Sequence, residues 1–246
     1  MNLLACVLIF LTTVLLQVNS KDLKALEQLS CELDDVKRYI VDRHNELRAN
    51  VRPTPSNMLR LEWSDEAAIC AANWAKKCTH AHSKSEEREI PSSVCGENLY
   101  MASKPHSWQK AIQAWYDEHK DFKYGVGAIT TNAPVGHYTQ MVWYRSNLLG
   151  CAMAHCPTQP LSYYYVCHYC PAGNSKKSIN EPYGSGSSCA NCTHACVNGL
   201  CTNPCEHHDE FDNCNEFEDL CDETDEDVSF IKDICKATCI CDDEIQ

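Results

Sequence analysis

Nineteen cysteines in 246 residues constrain this chain more than any other feature. At that density the cysteines decide whether the fold is stapled by bridges or built round metal. The N-terminus speaks to the compartment. Residues 1–20 carry no charged side chain, and Leu3 to Leu16 is almost wholly apolar. That run falls short of the roughly 20 residues a bilayer span needs. It ends in "LQVNS", where small and polar residues suit a signal peptidase, so residues 1–20 read as a secretory signal, although no positive side chain precedes the apolar run. No later stretch is apolar enough to span a membrane, and the mature chain is expected to be soluble and extracellular. Removing Cys6 with the signal leaves 18 cysteines, an even number, in an oxidising milieu. Cys167, Cys170, Cys189 and Cys192 also match the C-x2-C-x18-C-x2-C spacing of a zinc ribbon. The export signal and the other 14 mature cysteines favour disulfides over zinc at those four.

Charge divides the chain. Cys205 to Gln246 holds 16 acidic residues and two lysines, a net of −14, which leaves 18 acids and 19 bases, a net of +1, before it. A nearly neutral body with a strongly acidic end is a poor ligand for nucleic acid or anionic lipid. Three segments follow. Residues 31–172 contain the long periodic elements and all five tryptophans. "AGNSKKSINEPYGSGSS", 172–188, reads as a connector that opens a linker and cysteine-rich hinge over 173–204. Residues 205–241 are too poor in aliphatic side chains for an ordinary core and must be held by bridges.

Within the body, Leu33, Val36, Ile40 and Leu47 share one face of a helix that must stop near Pro53. Ser64, Asp65 and Glu66 start a second helix; "AAICAANWAKKC" is apolar nearly all round, so that helix is expected to be buried. Ser107 caps a third, with Ile112, Trp115 and Tyr116 inward. "GHYTQMVWY" reads as a short helix, "NLYMA" (98–102) as a strand, and "GCAMAHC" and "SYYYVCHYC" as two strands joined at Pro157–Pro160. The pattern predicts a mixed α/β layer structure.

"GHYTQMVWYRSNLLGC" and "YYYVCHYCPAGN" resemble the two signatures of the cysteine-rich secretory proteins, a branch of the CAP superfamily. "HNELR", "CGENLYM", "KYGVG" and "CTNPC" resemble the same family in the expected order, so the likeness covers residues from about 36 to 241. The resemblance implies a three-layer α-β-α sandwich (the CAP domain), a small disulfide-rich hinge, and a toxin-like C-terminal domain of the kind that regulates ion channels. It also implies bridges Cys78–Cys156, Cys95–Cys170 and Cys151–Cys167 in the body, Cys189–Cys196 and Cys192–Cys201 in the hinge, and Cys205–Cys241, Cys214–Cys235 and Cys221–Cys239 at the end. Spacing alone gives no such connectivity. Cys31 and Cys70 have no counterpart in the family pattern. They are expected to pair, tying the first helix to the second, with free thiols or an intermolecular bridge as alternatives.

The resemblance further implies a shallow cleft holding two histidines and two acids, here His82, Glu97, Glu118 and His137. Without it, a lone His137 among Tyr138, Met141, Val142 and Trp143 reads as a packed residue completing a hydrogen-bond network. With it, His82 and His137 become candidate Zn²⁺ ligands, and Glu97 and Glu118 candidates to orient the imidazoles or supply a base. Zinc enzymes usually supply three protein ligands, and the cleft offers no nucleophile, so weak or absent catalysis is expected. His80 is read as a bystander and His207 and His208 as surface residues. Asn191 heads an N-C-T glycosylation sequon in which Cys192 should be bridged. "DETDED" (222–227) lacks the alternating calcium-loop pattern and reads as a solvated acidic face.

The leading functional expectation is a non-enzymatic, monomeric secreted regulator, of reproductive or secretory tissue, that contacts a membrane receptor or cation channel. A pore-plugging toxin offers a lysine to a negative channel mouth, whereas here only Lys232 and Lys236 face 16 acids. The alternatives are a zinc-dependent hydrolase in the cleft, a venom-type channel modulator, and a lipid or sterol binder.

Overall fold

The computed structural model describes residues 26–207, 209, 211, 213–221, 229–241 and 243–245. The signal-like segment 1–20, His208 and the 222–227 acidic run lie outside the described residues. The helices are α1 (Asp34–Ala49), α2 (Asp65–Ala75), α3 (Trp108–Tyr116), α4 (Gly136–Met141), α5 (Ile231–Ile234) and α6 (Lys236–Ile240). The strands are β1 (Glu62–Trp63), β2 (Glu89–Ile90), β3 (Ser93–Val94), β4 (Gly96–Ala102), β5 (Phe122–Lys123), β6 (Gly127–Ala128), β7 (Leu148–His155), β8 (Tyr163–Cys170), β9 (Cys196–Val197) and β10 (Leu200–Cys201). Among the described residues, no helix is long and apolar enough to cross a membrane.

A four-stranded sheet in the order β1-β7-β8-β4 forms the middle layer. β8 runs antiparallel to both neighbours, and β1 joins parallel to β7. All eight residues of β8 are buried, as expected of a strand covered on both faces. Alternation sorts its side chains. Tyr163, Tyr165, Cys167 and Tyr169 pack with Ile40 and Leu47 of α1, Trp108, Ile112 and Trp115 of α3, and Tyr138 and Met141 of α4. Tyr164 and Val166 pack on the opposite face with Ala71, Trp74 and Ala75 of α2. This is the three-layer α-β-α order. Ser64 Oγ accepts the Ala67 amide at 3.1 Å and caps α2, worth about 1 kcal/mol. A Cβ on Gly150 of β7 would overlap the backbone of Ala67 and Ala68, so only glycine lets α2 lie this close to the sheet. The expectation that α2 is buried holds only on its inner side: Ile69 is 61% exposed, because the helix lies on one face of the sheet and its outer side meets solvent.

Among the described residues, eight bridges staple the fold. Cys78–Cys156, Cys95–Cys170 and Cys151–Cys167 lie in the body, the last joining residues directly opposed on β7 and β8. Cys189–Cys196 and Cys192–Cys201 close the hinge; Cys205–Cys241, Cys214–Cys235 and Cys221–Cys239 close the C-terminal part. Cys31 and Cys70 are both unpaired, which corrects the expected bridge between them. Cys31 packs against the α1/α3 core on one face of the sheet. Cys70 lies on α2, on the other face, with Sγ 3.6 Å from the Glu89 carbonyl. The sheet stands between the two sulfurs. Burial raises both thiol pKa values, that of Cys31 to about 12 with a further contribution from Glu32.

The 172–188 connector is not a free tether. Tyr183 is 2% exposed in the body core, and backbone bonds join Tyr144 to Pro182 and Ser56 to Gly184. The hinge continues the attachment, with Leu59 bridged to Cys201 and the Arg60 amide donating to the Cys201 carbonyl. The chain end returns to this layer: Ile245 packs with Leu59, Cys189, Cys192 and Cys201. A second small core gathers Cys214, Ile231 and Cys235 with Phe217, Leu220, Ile234 and Cys239. Residues too polar for a conventional core are held by bridges instead.

Candidate functional site

The turn that carries His82 bends sharply after α2. Cys78 and His80 both take the left-handed region, φ 52° and 53°, at a cost of roughly 1–2 kcal/mol each. The Cys78–Cys156 bridge holds one side of this turn. Trp74 Nε1 and the Tyr164 hydroxyl both donate to the Ala81 carbonyl, at 2.9 and 3.1 Å. His82 is thereby set against Glu97 of β4, its Nδ1 2.7 Å from Glu97 Oε1. The Ser83 amide also donates to Oε1, and Ser83 Oγ and His168 Nε2 lie 2.8 and 3.1 Å from Oε2. Burial pushes the Glu97 carboxyl pKa up, but the donors from His168, His82 and Ser83 outweigh it and hold it well below the usual carboxylate range.

His137 opens α4, whose N-cap residue Val135 supplies no side-chain cap. Glu118, from the 3₁₀ turn Asp117–Asp121, takes that role. Its Oε2 accepts the His137 and Tyr138 amides at 2.9 and 3.1 Å, and its Oε1 lies 2.6 Å from His137 Nδ1. One carboxylate therefore satisfies two orphan helix donors and fixes an imidazole. The His137 ring also stacks beside Trp115, centroids 6.5 Å apart.

In both pairs a carboxylate oxygen faces Nδ1. Carboxylates only accept, so geometry assigns the proton to Nδ1 and leaves Nε2 as the lone pair. This is the carboxylate–histidine arrangement that prepares a metal ligand. Both pairs meet at the start of β4, the edge strand of the sheet. Glu97 points to one face, while its neighbour Asn98 donates from Nδ2 to the His137 carbonyl at 3.0 Å. Glu97 and Asn98 are neighbours on the strand, so the two histidine pairs lie on either side of β4. Each pair offers one imidazole nitrogen backed by a carboxylate, donor chemistry that suits Zn²⁺. Among the described residues, His82, Glu97, Glu118 and His137 are not a group that brings three ligand atoms within 4.8 Å. Glu97, its side chain 1% exposed, has both oxygens filled by four donors, and Glu118 has both filled by three. Both carboxylates orient their histidines; four donors occupy the acceptor sites of Glu97, whereas Glu118 Oε1 accepts a single hydrogen bond.

Two sulfur clusters also come within metal-binding distance, Cys189/Cys192/Cys201 and Cys205/Cys241/Glu244. Every cysteine in them is in a disulfide and offers no thiolate. Asn191 is exposed beside the bridged Cys192. His207 is exposed, and the His80 ring lies tilted against Tyr164, centroids 5.0 Å apart. A depression of about 370 Å³ on the outer side of α3 is lined by Tyr100, Lys110, Gln113 and Asp117. Its polar groups pair with neighbours, Gln113 with Asp117 at 2.8 Å and Lys110 with His106 at 3.1 Å.

Sequence reasoning missed His168, which only strand pairing places opposite Glu97. It also missed the network behind His137. Asn98 Nδ2 donates to the Tyr169 hydroxyl at 3.3 Å, which lies 2.9 Å from His44 Nε2, while His44 Nδ1 meets the Ile40 carbonyl at 2.8 Å. The "HNELR" motif thus supports the fold. Asn45 bonds both backbone groups of Leu61, and Arg48 is fully buried among carbonyls.

Comparison with known proteins agrees with this architecture. Residues 41–169 match the CAP family model, described as the cysteine-rich secretory protein family, and residues 189–246 match the Crisp model. Cysteine-rich secretory protein 2 of Cavia porcellus is 49% identical over 243 residues, covering 97% of this chain and 98% of its own. The solved structure of Na-ASP-1 is 30% identical with a TM-score of 0.58; it covers 69% of this chain, which spans about half (47%) of that longer protein. A structure described as NaASP2 with Zn2+ is 30% identical with a TM-score of 0.56, covering 69% of this chain and 96% of its own. With two family models spanning body and C-terminal part, and a relative at 49% identity over nearly its whole length, this chain belongs to the cysteine-rich secretory protein family.

Proposed function

We propose that the chain is a secreted regulator of reproductive or secretory tissue whose Cys205–Gln246 part docks on a basic, partly apolar surface of a membrane receptor or cation channel. One observation carries this reading. Phe211 and Phe230 are 55% and 53% exposed and Ile240 is 48% exposed, on a segment with a net charge of −14. Large apolar side chains left in water on a bridge-held module suit interface anchors, and surrounding acids suit a positive partner. Pore plugging by a lysine is disfavoured by the same charge. The test is binding of the full mature chain to sperm or excitable-cell membrane vesicles across ionic strength. Affinity should fall steeply as salt rises from low to physiological levels; a flat response contradicts the reading.

A second reading has its own support. His82 and His137 each present Nε2 with a carboxylate behind Nδ1, and a relative of 30% identity is described with Zn2+. We propose that these two histidines bind Zn²⁺, with Glu97 and Glu118 as orienting groups. Zinc there would supply Lewis acidity; the role proposed is binding, not turnover. Calorimetric titration with Zn²⁺ should show one site lost in His82→Ala and in His137→Ala; binding unchanged in both variants contradicts it.

A further inference from the structure

His168 is fully buried, paired in register with Glu97 across β8 and β4. Its Nε2 lies 3.1 Å from Glu97 Oε2, while its Nδ1 is buried with no hydrogen-bond partner. An unpaired buried nitrogen costs about 1–3 kcal/mol, and an apolar side chain of similar size would fill the space without that cost. What an apolar residue cannot supply is the donor at Nε2.

The origin of the four Glu97 donors gives that donor a purpose. Three come from one loop: His82 Nδ1, the Ser83 amide and Ser83 Oγ. The Glu97 backbone is held in β4 opposite His168, but the carboxylate could still turn about its side-chain torsions with the loop and keep all three. His168 is the one donor among these four that belongs to the sheet. It therefore ties the plane of the carboxylate, and through it the His82 ring, to a strand buried along its whole length.

We propose that His168 is the positioning residue of the His82 half-site. It fixes Glu97 Oε2 to the sheet so that Oε1 faces His82 Nδ1, keeping the proton there and Nε2 aimed outward as a donor atom for zinc. The zinc part of this inference rests on the two-histidine reading above; the positioning part does not.

The test uses the full mature chain with its bridges intact. His168→Leu removes the donor at similar volume, His168→Asn is polar but too short to reach Glu97, and His168→Gln restores an N–H near the position of Nε2. The His82 tautomer is read by long-range ¹H–¹⁵N correlation in metal-free protein, and Zn²⁺ affinity by competition titration. Loss of the single Nδ1–H tautomer, with affinity down about 10- to 100-fold in Leu or Asn and both recovered in Gln, is the expected result. Should the Leu variant fail to fold, the Asn and Gln variants give the same comparison. An unchanged His82 tautomer in both the Leu and Asn variants overturns the proposal whatever zinc does. A wild-type chain that ignores Zn²⁺ while the tautomer still depends on His168 defeats only the zinc reading and upholds the positioning role.

Discussion

Arg48→Lys should destabilise the body far more than a charge-conserving change usually does. Arg48 is 0% exposed, and its donors reach five carbonyls: Leu59, Met141, Trp143, Tyr144 and Ser146. Burial lowers its pKa to about 9, with Tyr169 opposing weakly. A lysine ammonium carries the same charge into the same place, is more strongly hydrated, and has three donors on one atom. Five carbonyls against three protons leave at least two without a charged donor. At about 1.5–3 kcal/mol for each hydrogen bond to a charged group, the loss is about 3–6 kcal/mol. For a chain of this size that corresponds to a fall in Tm of about 6–24 °C. Thermal unfolding followed by near-UV circular dichroism, without reductant, measures it. A fall under about 3 °C would refute the reasoning, since the carbonyls would then need no fixed fork of donors. Because Arg48 grips the segment just after α4, the same variant should also disturb His137.

Acidification should weaken the fold in a window set by His44, whose pKa burial lowers from 6.5 to about 4. As pH falls through that window the unfolded chain takes up the proton first. Stability therefore drops between about pH 6.5 and 4, by on the order of 3 kcal/mol, and His44→Gln should flatten the slope in denaturant titrations at stepped pH. The Glu97 contribution, present above the unfolded carboxyl value of 4.5 and lost below it, should survive in that variant. Alkylation of the native protein should label Cys70 faster than Cys31, whose thiol burial raises to about 12, by peptide mass mapping; equal or reversed rates would contradict their placement. Glu118→Ala should uncap α4, costing about 1–2 kcal/mol, and lower Zn²⁺ affinity about 10- to 100-fold; calorimetry and denaturation check the two effects.

The layers were legible because periodicity is a backbone property. Ser64 and Ser107 marked helix starts, and the near-continuous apolar run in "SYYYVCHYC" suits a strand covered on both faces. Cys31 and Cys70 were misread because sequence does not say which face of a sheet a helix occupies. His168 went unnoticed because its partner, Glu97, lies 71 residues away and only strand register joins them. The attachment of the connector was not legible for a related reason. Its Gly, Ser and Asn content predicts turns correctly, but one buried Tyr183 and a few backbone bonds decide that those turns lie on the body. The bridges and cleft residues came from family resemblance, since positions scattered from His82 to His137 have no local pattern to expose them.

The most direct test compares membrane-vesicle binding by three proteins: the mature wild type, a Phe211→Ser/Phe230→Ser variant and a His82→Ala/His137→Ala variant. Binding should fall at least tenfold in the phenylalanine variant and stay within twofold of wild type in the histidine variant. The reverse pattern would move recognition from the acidic C-terminal part to the cleft.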